Sequence, residues 1–199
     1  MNCRPLVADE FPPMILENVK GQKLDLNRLT QGKITLVGFF SNTHGGRLME
    51  KWSEILSQHE EKHPEVELIQ ISYSPSFSTR IFKRFIISNI KKTLAEHRHS
   101  NYFTCFEKLD FGWLGTLGVE NNLYMYTFLV DQNGRIRARS AGAPQSREGE
   151  FLANFIEELK YENELLLAAE SESSTKTSGK TGKKNNNKRK SVFEKGTKP

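Results

Sequence analysis

Apolar positions along the chain come in short runs of two kinds, separated by polar punctuation. Residues 34–40 (ITLVGFF) form a continuous apolar stretch rich in β-branched and aromatic side chains, which predicts a strand buried on both faces. A polar turn comes next (Ser41, Asn42, Thr43, His44, Gly45, Gly46), after which Leu48, Trp52, Ile55 and Leu56 recur at helical spacing. That pattern predicts a helix over about 47–58, with Pro64 closing the region. Upstream, MILENV, KGQ and KLDL read as a β-hairpin with Gly21 in its turn. Downstream, residues 66–73 (VELIQISY) read as a second buried strand, broken by Pro75, with Ser76 or Ser78 as the N-cap of the next helix.

The pattern predicts that helix as one long element over 79–97 (TRIFKRFIISNIKKTLAEH). Ile81, Phe82, Phe85, Ile86, Ile90 and Leu94 repeat at intervals of three and four, so one stripe is expected to pack on a sheet. Arg80, Lys83, Arg84, Lys91 and Lys92 fall on the remaining surface, where they are expected to stay in water. Such a basic helix suits an anionic membrane or an acidic partner. Beyond it, the pattern predicts a short strand over 102–106, a helical turn with an aromatic plug over 111–117 and a strand over 124–130. The Asp131-Gln132-Asn133-Gly134 turn leads into a half-exposed edge strand over 135–140 that carries Arg135 and Arg137 on one side. A terminal helix is expected over 147–169. Strand, crossover helix, strand, hairpin and helix in that order describe an α/β domain with a central mixed sheet flanked by helices.

Charge changes this picture mainly at the C-terminus. Residues 171–199 hold nine Lys/Arg against two acids, a net of +7 against +5 for the whole chain, so the first 170 residues carry about −2. The high pI therefore belongs to a tail of Ser, Thr, Lys, Gly and Asn that is too poor in apolar residues to fold. The expected organisation is an N-terminal extension over 1–10, a folded domain over 11–169 and a disordered basic tail over 170–199. No apolar run reaches the ~18 residues of a spanning helix, which suggests a soluble or peripheral protein. The opening MNCRPLVADE reads as neither a signal peptide nor an Arg-rich transit peptide.

The turn after the first buried strand is where candidate chemistry is sought. F-F-S-N-T-H-G-G-R aligns with a generic thioredoxin turn, F-x-A-x-x-C-x-x-C, and puts His44 and Arg47 where the two cysteines would stand. A helix N-terminus lowers a cysteine pKa there, and a peroxidase or reductase needs the resulting thiolate. The scaffold is thus expected without its redox pair. Only Cys3 and Cys105 occur, giving neither a disulfide framework nor a zinc pattern, and Cys105 reads as a small buried hydrophobe. His44 has no second ligand at metal spacing beside it. His97 and His99 read as residues that cap a helix end. Tyr126 occupies the region where thioredoxin-type enzymes keep a cis-proline. No catalytic, cofactor or metal site is expected from these residues.

Two resemblances rest on particular stretches of the chain. The lead-in FPPMILENVKGQKLDLNRLTQGKITLVGFF resembles the peroxiredoxin and thiol-oxidoreductase branch of thioredoxin-like proteins. The later LGVENNLYMYTFLVDQNGRIRARSAGAP is similar to the mitochondrial ATP synthase assembly-factor family known as ATPase complex subunit ten, over about 11–159. Its diagnostic residues are Asn121-Asn122, Leu129-Val130-Asp131 and Arg135-Ile136-Arg137. That resemblance implies a thioredoxin-like fold and a non-enzymatic chaperone, peripheral on the matrix side of the mitochondrial inner membrane. It also implies the channel subunit of the ATP synthase membrane sector as partner. Arg80, Lys83, Arg84, Lys91, Lys92, Arg135 and Arg137 are the candidate contacts with that partner or an anionic membrane surface. Neither a small-molecule substrate nor a cofactor is implied. The other readings are a degenerate thioredoxin or peroxiredoxin with an unrelated binding role, and nucleic-acid binding through KKNNNKRK, a tail with only Phe193 nearby to stack on bases.

Overall fold

The computed structural model describes residues 10–59, 64, 66–121 and 123–178. Seven strands form one mixed sheet: β1 (Ile15–Asn18), β2 (Lys23–Asp25), β3 (Thr35–Phe40), β4 (Glu67–Tyr73), β5 (Tyr102–Cys105), β6 (Tyr126–Val130) and β7 (Ile136–Ala141), in the order β2-β1-β5-β4-β3-β6-β7. The β3–β4 and β4–β5 pairs are parallel, and the others are antiparallel. The hairpin turns at Gly21, whose φ of 89° favours a residue without a Cβ. Every residue of β3 is buried, as its unbroken apolar run requires of a strand covered on both faces.

The helices are α1 (Leu26–Thr30), α2 (Thr43–His59), α3 (Phe77–Ile81), α4 (Lys83–Thr93), α5 (Phe111–Thr116) and α6 (Glu148–Ser178). Two apolar layers cover the sheet. On one face Val37, Phe39, Ile69, Ile71, Phe103 and Phe128 pack with Leu26, Leu114 and Leu117 from the α1 and α5 regions. On the other, Leu36, Phe40 and Leu129 pack with Met49, Trp52 and Leu56 of α2 and with Leu152, Ile156 and Leu159 of α6. Helix α2 lies so close to β3 that a Cβ on Gly38 would overlap the Met49 sulfur. Burial of this kind, at roughly 25 cal/mol per Å² of apolar surface, drives the fold.

Several expectations need correction. The predicted long helix is two, broken at Phe82 (φ −88°, ψ 12°), and no residue of α3 or α4 is buried. The apolar stripe is therefore not a core stripe. Its physical reason lies in β4, where Ile69, Ile71 and Tyr73 face the first layer, and Gln70 and Ser72 alternate with them toward α4. An apolar helix cannot close down on amides and hydroxyls without costing their hydration. Trp113 of α5 is 38% exposed and is no plug, and the side chain of Phe111, the other aromatic of that turn, lies outside what is described. Helix α2 begins at Thr43, inside the stretch expected to be a turn, because Asn42 caps it.

The chain divides into two compact units, residues 1–160 and 161–199. In the second unit α6 stays helical to Ser178, past the expected end, through residues such as Ala168, Ala169 and Glu170 that favour helix. Leu165, Leu166 and Leu167 are exposed there. Residues 1–9 and the basic tail from 179 lie outside the described residues.

Candidate functional site

The buried strand β3 delivers its C-terminal end directly to the start of α2. Asn42 joins the two: its Oδ1 accepts from the Gly45 N–H at 2.7 Å, and its Nδ2 donates to the Leu123 carbonyl at 2.9 Å, in the segment before β6. Thr43, His44 and Arg47 are not buried, whereas Gly45 is buried where a Cβ would meet Phe40 Cβ at 2.8 Å. In a thioredoxin turn the reactive thiols would stand at His44 and Arg47. This turn offers an imidazole and a guanidinium instead. Among the described residues no group of three or more His, Cys, Asp or Glu is arranged to hold a metal.

Cys105, the cysteine of β5, is buried and free. Its thiol donates to the Glu107 carbonyl at 3.6 Å, and burial pushes its pKa up, with a smaller opposing effect of that hydrogen bond. A thiol held protonated inside an apolar layer is a poor nucleophile. In the region where thioredoxin-type enzymes keep a cis-proline, Tyr126 is buried and its hydroxyl exchanges hydrogen bonds with the Asn121 backbone at 3.1 and 3.2 Å. No cis peptide bond occurs among the described residues.

Beside the turn lies an open cleft of about 720 Å³ between α4 and the sheet. Phe85, Ile86, Ile90 and Leu94 line its helix side, Phe40, Gln70, Ser72 and Tyr102 its floor, and Arg47 and Glu50 the α2 side. Phe40 and Tyr102 meet edge to face, with ring centroids 6.2 Å apart. A second cleft of about 450 Å³ adjoins it, lined by Asn42, Ser74, Thr79, Leu114 and Leu123 among others. The far end of α4 is fixed by polar contacts. His99 Nε2 bonds the Leu94 carbonyl at 2.9 Å, so one of the two histidines does cap this helix end. Arg98 clamps Glu50 with bonds of 2.8 and 3.1 Å and donates to Gln70 Oε1 at 2.8 Å.

The seven candidate basic residues do not form one surface. Arg80, Arg84, Lys91 and Lys92 are exposed on α3 and α4, and no carboxylate among the described residues pairs with them. Lys83 departs from expectation: it donates to Glu17 Oε2 at 2.6 Å and sits 5.6 Å from the Phe106 ring centroid. Arg135 and Arg137 stand beyond β6, by the start of β3 and at the opposite sheet end from the start of α3. There Arg137 pairs with the buried Asp131 at 3.2 Å, and Asp131 also accepts from the Arg135 N–H at 2.9 Å. Asp131 and Arg137 thus secure a hairpin turn.

Sequence reasoning passed over Phe77 and Leu123, which are 79% and 67% exposed at this end of the sheet. The signal that could have found the exposed face is the alternation within β4. Ile69, Ile71 and Tyr73 share one side, which leaves the side toward the crossover helix partly polar.

Comparisons with known proteins agree with this geometry. The chain is similar to a SCO1/SenC family lipoprotein from Bacillus anthracis, at 16% identity and a TM-score of 0.55 over 79% of this chain and 98% of that one. BsSco, a member of the Sco family of cytochrome c oxidase assembly proteins, gives 11% identity and a TM-score of 0.54 over 80% and 98%. A DsbE thiol:disulfide interchange protein from Chlorobium tepidum gives 15% and 0.52 over 76% and 96%. At these identities the likeness establishes the thioredoxin-like fold alone. No curated protein gives a significant match. The profile of the ATP10 protein family matches residues 7–159, the whole of the sheet together with α1 to α5 and the first part of α6, and the chain belongs to that family of ATPase complex assembly factors.

Proposed function

We propose that this protein is a non-enzymatic assembly factor for the membrane sector of mitochondrial ATP synthase, a peripheral protein on the matrix side of the inner membrane. The observation that carries the reading is the state of the α2 N-terminus. A thioredoxin-like scaffold presents His44 and Arg47 in place of thiols, and the cysteine of β5 is buried in the apolar layer on the sheet face away from α2. With redox chemistry unsupported there, the same sheet end is left as a binding surface, bordered by two clefts and the exposed bases of α3 and α4. Membership of the ATP10 family gives the assembly role, and the channel subunit of the membrane sector is the client we assign to it.

An anionic membrane surface is the second partner in this reading. Exposed bases near an anionic leaflet contribute about 1 kcal/mol each, and Arg80, Arg84, Lys91 and Lys92 are available for this. No helix among the described residues is long and apolar enough to cross a membrane. Neither cofactor, small-molecule substrate nor nucleic acid enters the proposal. The test is affinity capture of the tagged chain from mitochondria in mild detergent. Co-purification of the channel subunit is expected, and its absence alongside retention of unrelated partners would remove the assignment.

A further inference from the structure

The crossover between β4 and β5 carries apolar residues on two sides, and the sheet accounts for only one of them. Ile86, Ile90 and Leu94 are half-buried and line the cleft over the sheet. Phe77, Ile81, Phe82 and Phe85 are instead 79%, 62%, 60% and 65% exposed, with Phe85 also at the edge of the cleft, which makes them protruding side chains. Phe77 and Ile81 are one turn apart on α3, Phe82 sits at the break and Phe85 lies in the first turn of α4, so the four make an apolar ridge that follows the bend of the chain. Four large apolar groups in one contiguous ridge mark an interaction site.

Charge decides what kind of surface would cover it. From Phe77 to Leu94 the chain holds no acidic residue, while Arg80 and Arg84 lie among the ridge residues in sequence and Lys91 and Lys92 stand in the last turn of α4. Lys83 is already held by Glu17. An apolar edge bordered by long basic side chains suits the boundary between phosphate headgroups and acyl chains, with the cations reaching back to the phosphates. A protruding ridge needs a deformable acceptor, and acyl chains provide one without a matching groove.

We propose that α3 and the first turns of α4 form a shallow insertion element for an anionic bilayer. Phe77, Ile81, Phe82 and Phe85 enter the headgroup–acyl boundary, and Arg80, Arg84, Lys91 and Lys92 hold lipid phosphates. This rests on the reading of the protein as peripheral and deepens it: attachment is by insertion as well as by charge.

The experiment uses the full chain with Cys3→Ser and Phe82→Cys, labelled at position 82 with an environment-sensitive fluorophore. A matched chain carries the label through Glu157→Cys on α6. Vesicles of phosphatidylcholine with cardiolipin should shift the emission of the position-82 label to the blue, and phosphatidylcholine alone should not. The label on α6 should stay water-like throughout. Replacing Phe77, Ile81, Phe82 and Phe85 by Ser should lower binding to the anionic vesicles at physiological salt by about tenfold or more. Circular dichroism should not change, since all four side chains are mostly exposed to water. Single changes Phe77→Ser and Phe85→Ser serve as a second measure, each expected to lower binding in part. A position-82 label that stays water-like while the protein sediments with anionic vesicles would overturn the proposal and leave attachment to charge alone. So would a four-residue variant that binds vesicles normally but no longer captures the channel subunit in detergent, which would make the ridge a protein contact. Either result leaves the assembly role standing, and loss of subunit capture by the wild-type chain bears on that role alone.

Discussion

Lys83 Nζ meets Glu17 Oε2 at 2.6 Å, which ties the first residue of α4 to β1 across a sequence separation of 66. Since the apolar residues of α3 and α4 find no core, this ion pair and the Arg98 clamp at the other end are among the polar contacts that hold the crossover in place. Both partners are partly exposed, with side-chain exposures of 36% and 22%, so water and salt weaken the pair. We expect Glu17→Gln to cost no more than about 1 kcal/mol of global stability. The local effect should be larger in kind: amide exchange across residues 83–93 should quicken while β3 and β4 stay protected. Unchanged exchange in α4, measured by mass spectrometry, would show that the pair does not anchor it.

Phe39 is 3% exposed in β3 and packs against Tyr73 with ring centroids 5.3 Å apart. Phe39→Ala removes a buried aromatic and leaves a cavity between interior strands, so it should cost about 3–5 kcal/mol. Chemical denaturation of both proteins measures this directly. A loss below about 1 kcal/mol would be surface-like and would contradict the position of β3.

Asn42 serves two elements with one side chain, capping α2 and holding the Leu123 carbonyl. Asn42→Asp keeps the cap and loses the amide donor, whereas Asn42→Ala loses both. The alanine variant should cost about 1–2 kcal/mol, and the aspartate variant should be intermediate. Equal losses in thermal unfolding would show that the cap matters little beside the bond to Leu123.

Burial raises the Cys105 thiol above its ordinary value of 9.0, so it stays protonated at neutral pH in the folded state. A thiol whose folded pKa is raised contributes stability that is complete below the unfolded value and is lost as pH rises through the folded one. Stability should therefore fall as pH climbs past about 9, and Cys105→Ser should lessen that fall. Alkylation of Cys105 at pH near 8 should be about tenfold or more slower in the native protein than in the unfolded chain. Because the turn offers His44 and Arg47, insulin-reduction and peroxide assays should give no turnover above a protein-free control. Sustained turnover would demand chemistry outside this turn.

Residue order alone determined most of the architecture. The apolar run of β3 makes a strand buried on both faces, and Asp131 and Gly134 make the turn between β6 and β7, whereas β7 is an edge strand whose alternation is interrupted by a register shift against β6. The missing thiols at His44 and Arg47 were equally legible, because they depend on identity at a spacing and not on packing. The helical repeat of Ile81, Phe82, Phe85 and Ile86, by contrast, could not say which surface would meet it. A periodic stripe records only that something apolar lies opposite, and the nearest such surface is usually the protein's own sheet. Here the sheet presents Gln70 and Ser72 on that side, a cleft opens, and the ridge from Phe77 to Phe85 is left in water. In the same way, charge counting could not separate Lys83 and Arg137, held by Glu17 and Asp131, from Arg80 and Arg84, which stand in solvent. Those partners lie 66 and 6 positions away, and the longer of these pairings arises only when β1 is brought beside the crossover.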